Sequence, residues 1–299
     1  MTFQSFSVLA PAKINLYLHV TGKRTDGYHT LDSLIAFSNI GDRITFYPAD
    51  EFSFRIQGPF FQSFTARETD SSQQSGNLVV RAVHSLANLT GRKPDFRIAL
   101  TKNLPLAAGL GGGSADAAAT IWAMMTLWNI PMSLPGLDKM MIDLGADVPA
   151  CLPSAPVRVT GIGDVMTPVH NLPEIPVVLV NPLKRCPTPD VFRLFEGERK
   201  QEIACLGTLV DSSELIDFLK NQDNDLSSPA ISIVPDIERI VKLMTQQDGC
   251  HLSRMSGSGA TVFGLFDNQE NARNAAETLA LGYPEWWVRT GSINSPARY

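Results

Sequence analysis

From Leu104 to Asp116 the chain reads Leu-Pro-Leu-Ala-Ala-Gly-Leu-Gly-Gly-Gly-Ser-Ala-Asp, with four glycines in the five positions 109–113. Glycine loses the most backbone freedom on folding, so such a cluster is a poor start for a regular strand or helix. A strong helix pattern follows at once, Ala115 through Trp128, opening on alanines and continuing with Ile121, Trp122, Met124, Met125 and Leu127. A glycine turn feeding a helix N-terminus aims bare backbone N–H groups, and the positive end of the helix dipole, at one point in space. That is an anion site, and phosphate is its usual occupant.

Several phosphate loops are excluded. The P-loop needs a lysine directly after its last glycine, and none follows here. The dinucleotide fingerprint needs Gly or Ala as its sixth residue, and counting Gly109 as the first, this chain has Ser114 there. No His-Arg-Asp or Asp-Phe-Gly triplet of the protein-kinase set is present. What remains is Pro-x-x-x-Gly-Leu-Gly-Gly-Gly-Ser. Two further segments accompany it: Ala10-Pro-Ala-Lys-Ile-Asn-Leu-Tyr-Leu18 near the start, and Arg254-Met-Ser-Gly-Ser-Gly-Ala-Thr-Val-Phe-Gly-Leu-Phe266 near the end.

In that order the three segments resemble the three motifs of the GHMP small-molecule kinases, and they span nearly the whole chain. Four local strings narrow the likeness: Arg24-Thr-Asp-Gly-Tyr-His29, the Gly-Leu-Gly-Gly-Gly-Ser loop itself, Gly145-Ala-Asp-Val-Pro149, and Pro187-Thr-Pro189 with Phe192 after it. They are similar to the branch whose acceptor is a cytidine diphosphate methylerythritol. The resemblance implies an α+β, two-domain GHMP kinase fold. Its N-terminal domain would be ribosomal-protein-S5-like α/β, its C-terminal domain a ferredoxin-like α/β sandwich, and its active site would lie in the cleft between them. The expected division is 1–165, nucleotide-binding and catalytic, and 166–299, on the substrate side. The implied activity is ATP-dependent phosphorylation of the 2-hydroxyl of the cytidyl acceptor, with Mg²⁺ accompanying ATP. The alternatives are another kinase of the family, acting on mevalonate, homoserine or a sugar, and a non-catalytic nucleotide- or RNA-binding module on a shared fold.

Composition bears on those alternatives. The net charge of −5 argues against a broad nucleic-acid footprint, which needs a basic excess. Hydrophobic residues at 44% and charged residues at 18% are ordinary for a globular chain with a real core. Cys151, Cys186, Cys205 and Cys250 are widely spread with no C-x-x-C pair, so they read as reduced thiols and no metal site of their own is expected. No apolar run reaches membrane-spanning length and no secretory signal is visible, so no membrane partner is expected and the cytoplasm is the expected location. The expected assembly is a monomer or weak homodimer.

Hydrophobic patterning predicts strands at Phe6–Ala12, Ile14–Thr21, Leu31–Phe37, Ile44–Tyr47 and Phe52–Ile56, a loop over Gln57–Gly76, and a helix starting at Asn77. A strand at Phe96–Leu100 leads into the glycine loop, and a helix covers Leu137–Leu144. A hairpin surrounds Gly161-Ile-Gly-Asp164. In the second half, Val177–Val180, Thr261–Phe266 and Trp286–Thr290 read as strands. Helices are expected at Pro189–Phe195, Glu214–Lys220, Ile237–Gln247 and Glu270–Leu279.

Phosphoryl transfer asks for a cradle for the phosphates, charge neutralisation and a place for one proton. Lys13, enclosed by Pro11, Ala12, Ile14 and Leu16, is the candidate cation; an ordinary solvated lysine is the competing reading. Asp147 is the candidate base, with Pro149 expected to hold an extended path behind it; a capping aspartate is the alternative. Asn15 shares the strand face of Lys13, and by resemblance it contacts the acceptor. The resemblance also gives Tyr28, His29, Thr188 and Phe192 to the cytidine end, and Asn77 and Lys102 to the adenine or ribose, although Asn77 also reads as a helix cap and Lys102 as a solvated strand end. Pro105, Gly109, Gly111, Gly112, Gly113 and Ser114 would form the cradle, with Ser114 a possible N-cap. Gly257 and Gly259 would let the third loop approach the phosphates or the acceptor. Asp116 is expected to point away from the phosphates, where a carboxylate would be unfavourable.

Overall fold

A computed structural model describes residues 3–294 except 205 and 208; Cys205 therefore lies outside the described residues. Two long antiparallel strands organise the first half: β1 (Phe6–Lys23) and β2 (His29–Pro48), paired from Phe6–Phe46 to Lys23–His29. Sequence patterning expects four strands here, and the register shifts explain why. Each strand is continuous, but bulges at Pro11/Lys13, Asn15/Tyr17 and Val20/Gly22 interrupt the alternation of its side chains.

β3 (Ser53–Gln57), α1 (Ala66–Thr69), α2 (Leu78–Thr90) and β4 (Phe96–Thr101) follow, with β3 and β4 parallel and β4 antiparallel to β2. The segment 57–76, expected as loop, holds α1 and a single 3₁₀ turn at Phe61–Ser63. Then come α3 (Gly112–Leu127), α4 (Leu137–Leu144), α5 (Val148–Cys151), β5 (Val157–Gly161) and β6 (Val165–Pro168), with β5 against β2. α3 is buried on nearly every side, from Ala115 to Met125. Its alanines let it lie close against α2 and β1, and a helix apolar all round belongs in a core.

The second half contains β7 (Ile175–Asn181), α6 (Thr188–Arg193), α7 (Ser212–Lys220), α8 (Ser227–Ile233), α9 (Asp236–Thr245), β8 (Cys250–Met255), β9 (Val262–Phe266), α10 (Gln269–Gly282) and β10 (Trp287–Ile293). α8 went unforeseen; Ser-Ser-Pro at its start gives no helical period. The antiparallel order β10-β7-β9-β8 is the 4-1-3-2 order of a ferredoxin-like sandwich. α9 and α10 pack their apolar stripes on this sheet. A single residue pair, Ile293–Ser38, joins it to β2, and a third apolar cluster, with Ile14, Tyr17, Val177 and Phe263, fills the space between the two halves.

Candidate active site

The glycine loop is pinned on both sides by backbone. Lys13 N donates to Leu110 O at 2.9 Å, and Thr261 N donates to Ala108 O at 3.2 Å. Ser256 then ties all three sequence motifs together: its Oγ accepts from Asn15 N at 3.1 Å and donates to Gly109 O at 3.0 Å. Gly109 has φ +73°, and a Cβ there would sit 2.4 Å from Ser256 O, so only glycine allows this approach. Gly111 is likewise left-handed and forms the N-cap of α3, with no side-chain cap. The helix thus starts earlier than its alanines suggest. Gly112 and Gly113 lie in its first turn, and Ser114 is a third helical residue and not a cap.

Beside the loop opens a cavity of about 620 Å³. Of the sequence candidates, Lys13, Asn15, Asn77, Lys102, Pro105, Gly109, Gly111, Gly112, Gly113, Ser114, Asp147, Thr188, Phe192 and Gly257 line it. Tyr28, His29 and Gly259 do not. Tyr28 is 65% exposed on the β1–β2 turn. The His29 ring stacks behind Phe192, centroids 5.3 Å apart and planes 24° apart, and so backs the wall without forming its surface. Gly259 packs near the Met255 sulfur.

Lys13 is buried, and its Nζ lies 3.5 Å from Asp147 Oδ2 and 3.1 Å from Asn15 Oδ1, to which it donates. The Asn15 amide is oriented from its other end: Nδ2 donates to Ser33 Oγ at 2.7 Å, and Ser33 Oγ donates to Tyr17 O at 2.6 Å. Asp147 occupies the N-cap position of α5, yet its side chain caps nothing, which leaves the half-exposed carboxylate facing Lys13. Pro149 does not impose the extended path expected behind it. It stands in the first turn of α5, where a missing N–H matters least.

Lys102 is fully enclosed, and its Nζ bridges Asp42 and Asp116, the latter at 2.6 Å. Asp42 Oδ1 also accepts from the N–H groups of Asn103 and Leu104. Burial disfavours the Lys102 charge, but the two carboxylates outweigh it and raise its pKa. Burial and the neighbouring Asp42 push the Asp116 carboxyl well above the usual carboxylate range. Asp116 turns to Lys102 with Oδ2, while its Oδ1 is sealed from solvent without a partner. The Asp42 link was invisible in sequence, because Gly-Asp at 41–42 reads as a turn. Asn77 does cap α2, its Oδ1 accepting from Val79 N at 2.9 Å.

At the far end, Thr188 Oγ1 and Ser258 Oγ lie 2.7 Å apart, joining α6 to the third loop. Asn224, absent from the sequence reading, fixes that loop by donating from Nδ2 to Met255 O and Gly257 O, both at 2.8 Å. A buried set lies beneath this end: Arg158 makes a two-pronged ion pair with Asp32, which also accepts from Tyr17 Oη at 2.9 Å. Among the described residues no group of three His, Cys, Asp or Glu could cage a metal alone, and Cys151, Cys186 and Cys250 are free thiols.

Family models of the GHMP kinases match in both halves, the N terminal domain over residues 77–154 and the C terminal region over 203–285. The chain belongs to the GHMP kinases. Among members of this family it is 42% identical, over 97% of its length and 99% of theirs, to a 4-diphosphocytidyl-2-C-methyl-D-erythritol kinase of Paramagnetospirillum magneticum. An enzyme of the same name from Cereibacter sphaeroides is 45% identical over 93% of this chain and 96% of that one. A crystal structure of a 4-(cytidine 5'-diphospho)-2C-methyl-D-erythritol kinase superposes with a TM-score of 0.79 at 32% identity, covering 97% of this chain and 100% of that one. The two-domain α+β architecture is that of these kinases.

Proposed function

We propose that this GHMP kinase transfers the γ-phosphoryl group of ATP to the 2-hydroxyl of 4-diphosphocytidyl-2-C-methyl-D-erythritol, a step of the non-mevalonate isoprenoid route. The observation that carries the residue roles is the Lys13–Asp147 pair, 3.5 Å apart on the cavity wall beside the glycine loop. Residues 1–165 supply the nucleotide end and the reacting centre, and 166–299 close the acceptor end.

ATP phosphates lie over the N-terminus of α3, held by the N–H groups from Gly109 to Ser114. The acceptor hydroxyl sits at Asp147, which takes its proton, while Lys13 stabilises the charge that develops between the two oxygens. Asn15 holds Lys13 on its mark through Oδ1 and lines the acceptor's side of the cavity. Phe192 stacks on the cytosine, backed by His29, whose pKa burial and the Lys23 and Arg199 cations lower. Thr188 and Gly257 shape the acceptor's path.

Mg²⁺ fits this donor set. It is a hard cation that needs one or two protein oxygens and takes the rest from phosphates and water. The Ser114 hydroxyl, on the cavity wall near Gly145 and Asp147, is the oxygen that would hold it; Asp116 is committed to Lys102. When bound, the ion neutralises phosphate charge. The enzyme works as a monomer or weak homodimer in the cytoplasm; among the described residues no helix is long and apolar enough to cross a membrane.

The test is ADP release from ATP and Mg²⁺ with the cytidyl acceptor offered beside mevalonate, homoserine and galactose. Turnover with the cytidyl compound alone is expected. Turnover only with another acceptor would overturn the roles given to Phe192 and His29.

A further inference from the structure

Beside the glycine loop, Phe64, Leu78, Pro105 and Leu106 give the cavity apolar lining. Leu78 ties this lining to the phosphate cradle: a Cβ on Gly113 would lie 3.5 Å from its Cδ1. Apolar walls of this kind suit the faces of a flat ring. One carboxylate interrupts them. Glu68 lines the cavity from α1, and its Oε2 accepts from Thr65 N at 2.9 Å and from Thr65 Oγ1 at 2.7 Å, a capping box that fixes the side chain. Its other oxygen, Oε1, takes no hydrogen bond from any described residue. The neighbouring cation does not neutralise it, since Arg67 Nε donates to Gln74 O. Lys102 is already held by Asp42 and Asp116.

An unpaired carboxylate near a phosphate cradle repels phosphate. It therefore belongs with a hydrogen-bond donor at the opposite end of the ligand. Asn77 supplies the complement. Its Oδ1 is used in capping α2, which leaves Nδ2 as a donor on the same cavity. A fixed acceptor and a fixed donor on one cavity wall, with only Gly76 between Asn77 and the contact to Glu68 Cγ, match a purine edge with an exocyclic amine next to a ring nitrogen. Replacing that amine by a carbonyl opposes acceptor to acceptor.

We propose that Glu68 selects the base of the phosphoryl donor, with Oε1 accepting from the exocyclic amine of adenine. This rests on the reading of the site as an ATP-dependent kinase. Glu68→Gln is the informative change, because the amide oxygen can keep the Thr65 bonds while an N–H₂ group replaces the free oxygen.

Wild type and E68Q are compared with ATP and with inosine triphosphate at saturating cytidyl acceptor, together with calorimetric binding of ADP and inosine diphosphate. The wild type is expected to prefer the adenine nucleotides. In E68Q, KM for ATP should rise about 10-fold, the scale of one hydrogen bond to a charged group, and KM for inosine triphosphate should fall, with kcat little changed. Glu68→Ala, which removes the acceptor without adding a donor, should weaken only the adenine nucleotides. An unchanged ATP-to-inosine preference in both variants overturns the proposal. So does a rise confined to the KM of the cytidyl acceptor. A wild type that turns over neither nucleotide would refute the kinase reading, and the ADP and inosine diphosphate affinities would still decide the role of Glu68.

Discussion

Replacing Asp116 by asparagine should destabilise the protein far less than the same change at Asp42, and the difference from wild type should depend on pH. One cation, Lys102, faces two buried carboxyl groups, so ionising both would leave the cluster one excess negative charge. Asp42 is the better satisfied of the two, since its Oδ1 also accepts from Asn103 N at 2.6 Å and Leu104 N at 2.8 Å. Asp116 Oδ1 has no partner. Breaking the main buried pair with Asp42→Asn should cost about 3–5 kcal/mol. Asp116→Asn gives up one charged hydrogen bond, about 1.5–3 kcal/mol, but relieves the desolvation of the surplus carboxylate and its repulsion by Asp42. The net loss should be about 1 kcal/mol at neutral pH. The folded Asp116 binds its proton more tightly than the unfolded chain does. Its contribution is therefore complete below about pH 4 and is lost as pH rises through its raised folded value. Urea midpoints of wild type, D116N and D42N at about pH 5 and about pH 8 test this. The wild type should fall relative to D116N on going to the higher pH. A D116N variant as damaged as D42N, or a wild-type difference that ignores pH, refutes the reasoning.

Lys13→Ala and Asp147→Asn should each lower kcat by about 10²–10⁴-fold with unchanged circular dichroism; a fully active D147N would remove Asp147 from the proton's path. Phe192→Ala should raise the acceptor KM by about 10-fold or more, from a stacking worth about 1–3 kcal/mol, and leave the KM for ATP alone, whereas Tyr28→Ala, on an exposed ring outside the cavity, should do much less. Burial opposes the Asp32 charge, but Arg158, Ile203 N–H and Tyr17 outweigh it and hold its pKa low. That stabilisation is present above about pH 4 and lost as pH falls through the lowered value, so acid unfolding followed by fluorescence should be shallower in Asp32→Asn.

The phosphate loop was legible because glycine at a helix start has few structural uses, and the Lys13–Asn15 face because a strand repeats every two residues. The bulges in β1 and β2 were not legible, since a register shift is decided by the partner strand and not by local composition. Pro149 misled for a related reason: a proline after an aspartate reads as an extended step, but the backbone at Val148 begins a helical turn that accepts it at the second position. The Lys102 cluster and the Asn224 strut join residues 60 and 31 positions apart, respectively. No short-range pattern marks either. Glu68 did carry a local signal, Thr-x-x-Glu at 65–68, a capping box inside a segment otherwise read as loop.

The two sheets share a single residue pair, so the site's geometry depends on how the halves are bolted together elsewhere. Beside the apolar cluster that fills the seam, several polar bolts cross it. Ser256 Oγ reaches Asn15 N across 241 positions and Gly109 O across 147. The Arg254 guanidinium donates to Leu16 O, Leu219 O and Gln222 O, and Trp287 Nε1 donates to Asn103 O. Burial of Arg254 lowers its pKa to about 10, and that penalty is tolerated because three carbonyls receive the buried cation. Each bolt ends within a few residues of Lys13, Lys102 or the glycine loop. A change in the contact between the halves therefore moves the phosphate cradle and the Lys13–Asp147 pair relative to the third loop. The first two motifs lie in the N-terminal half and the third in the C-terminal half, with apolar residues of all three meeting in the cluster between the halves, so the reacting centre forms only where the halves meet.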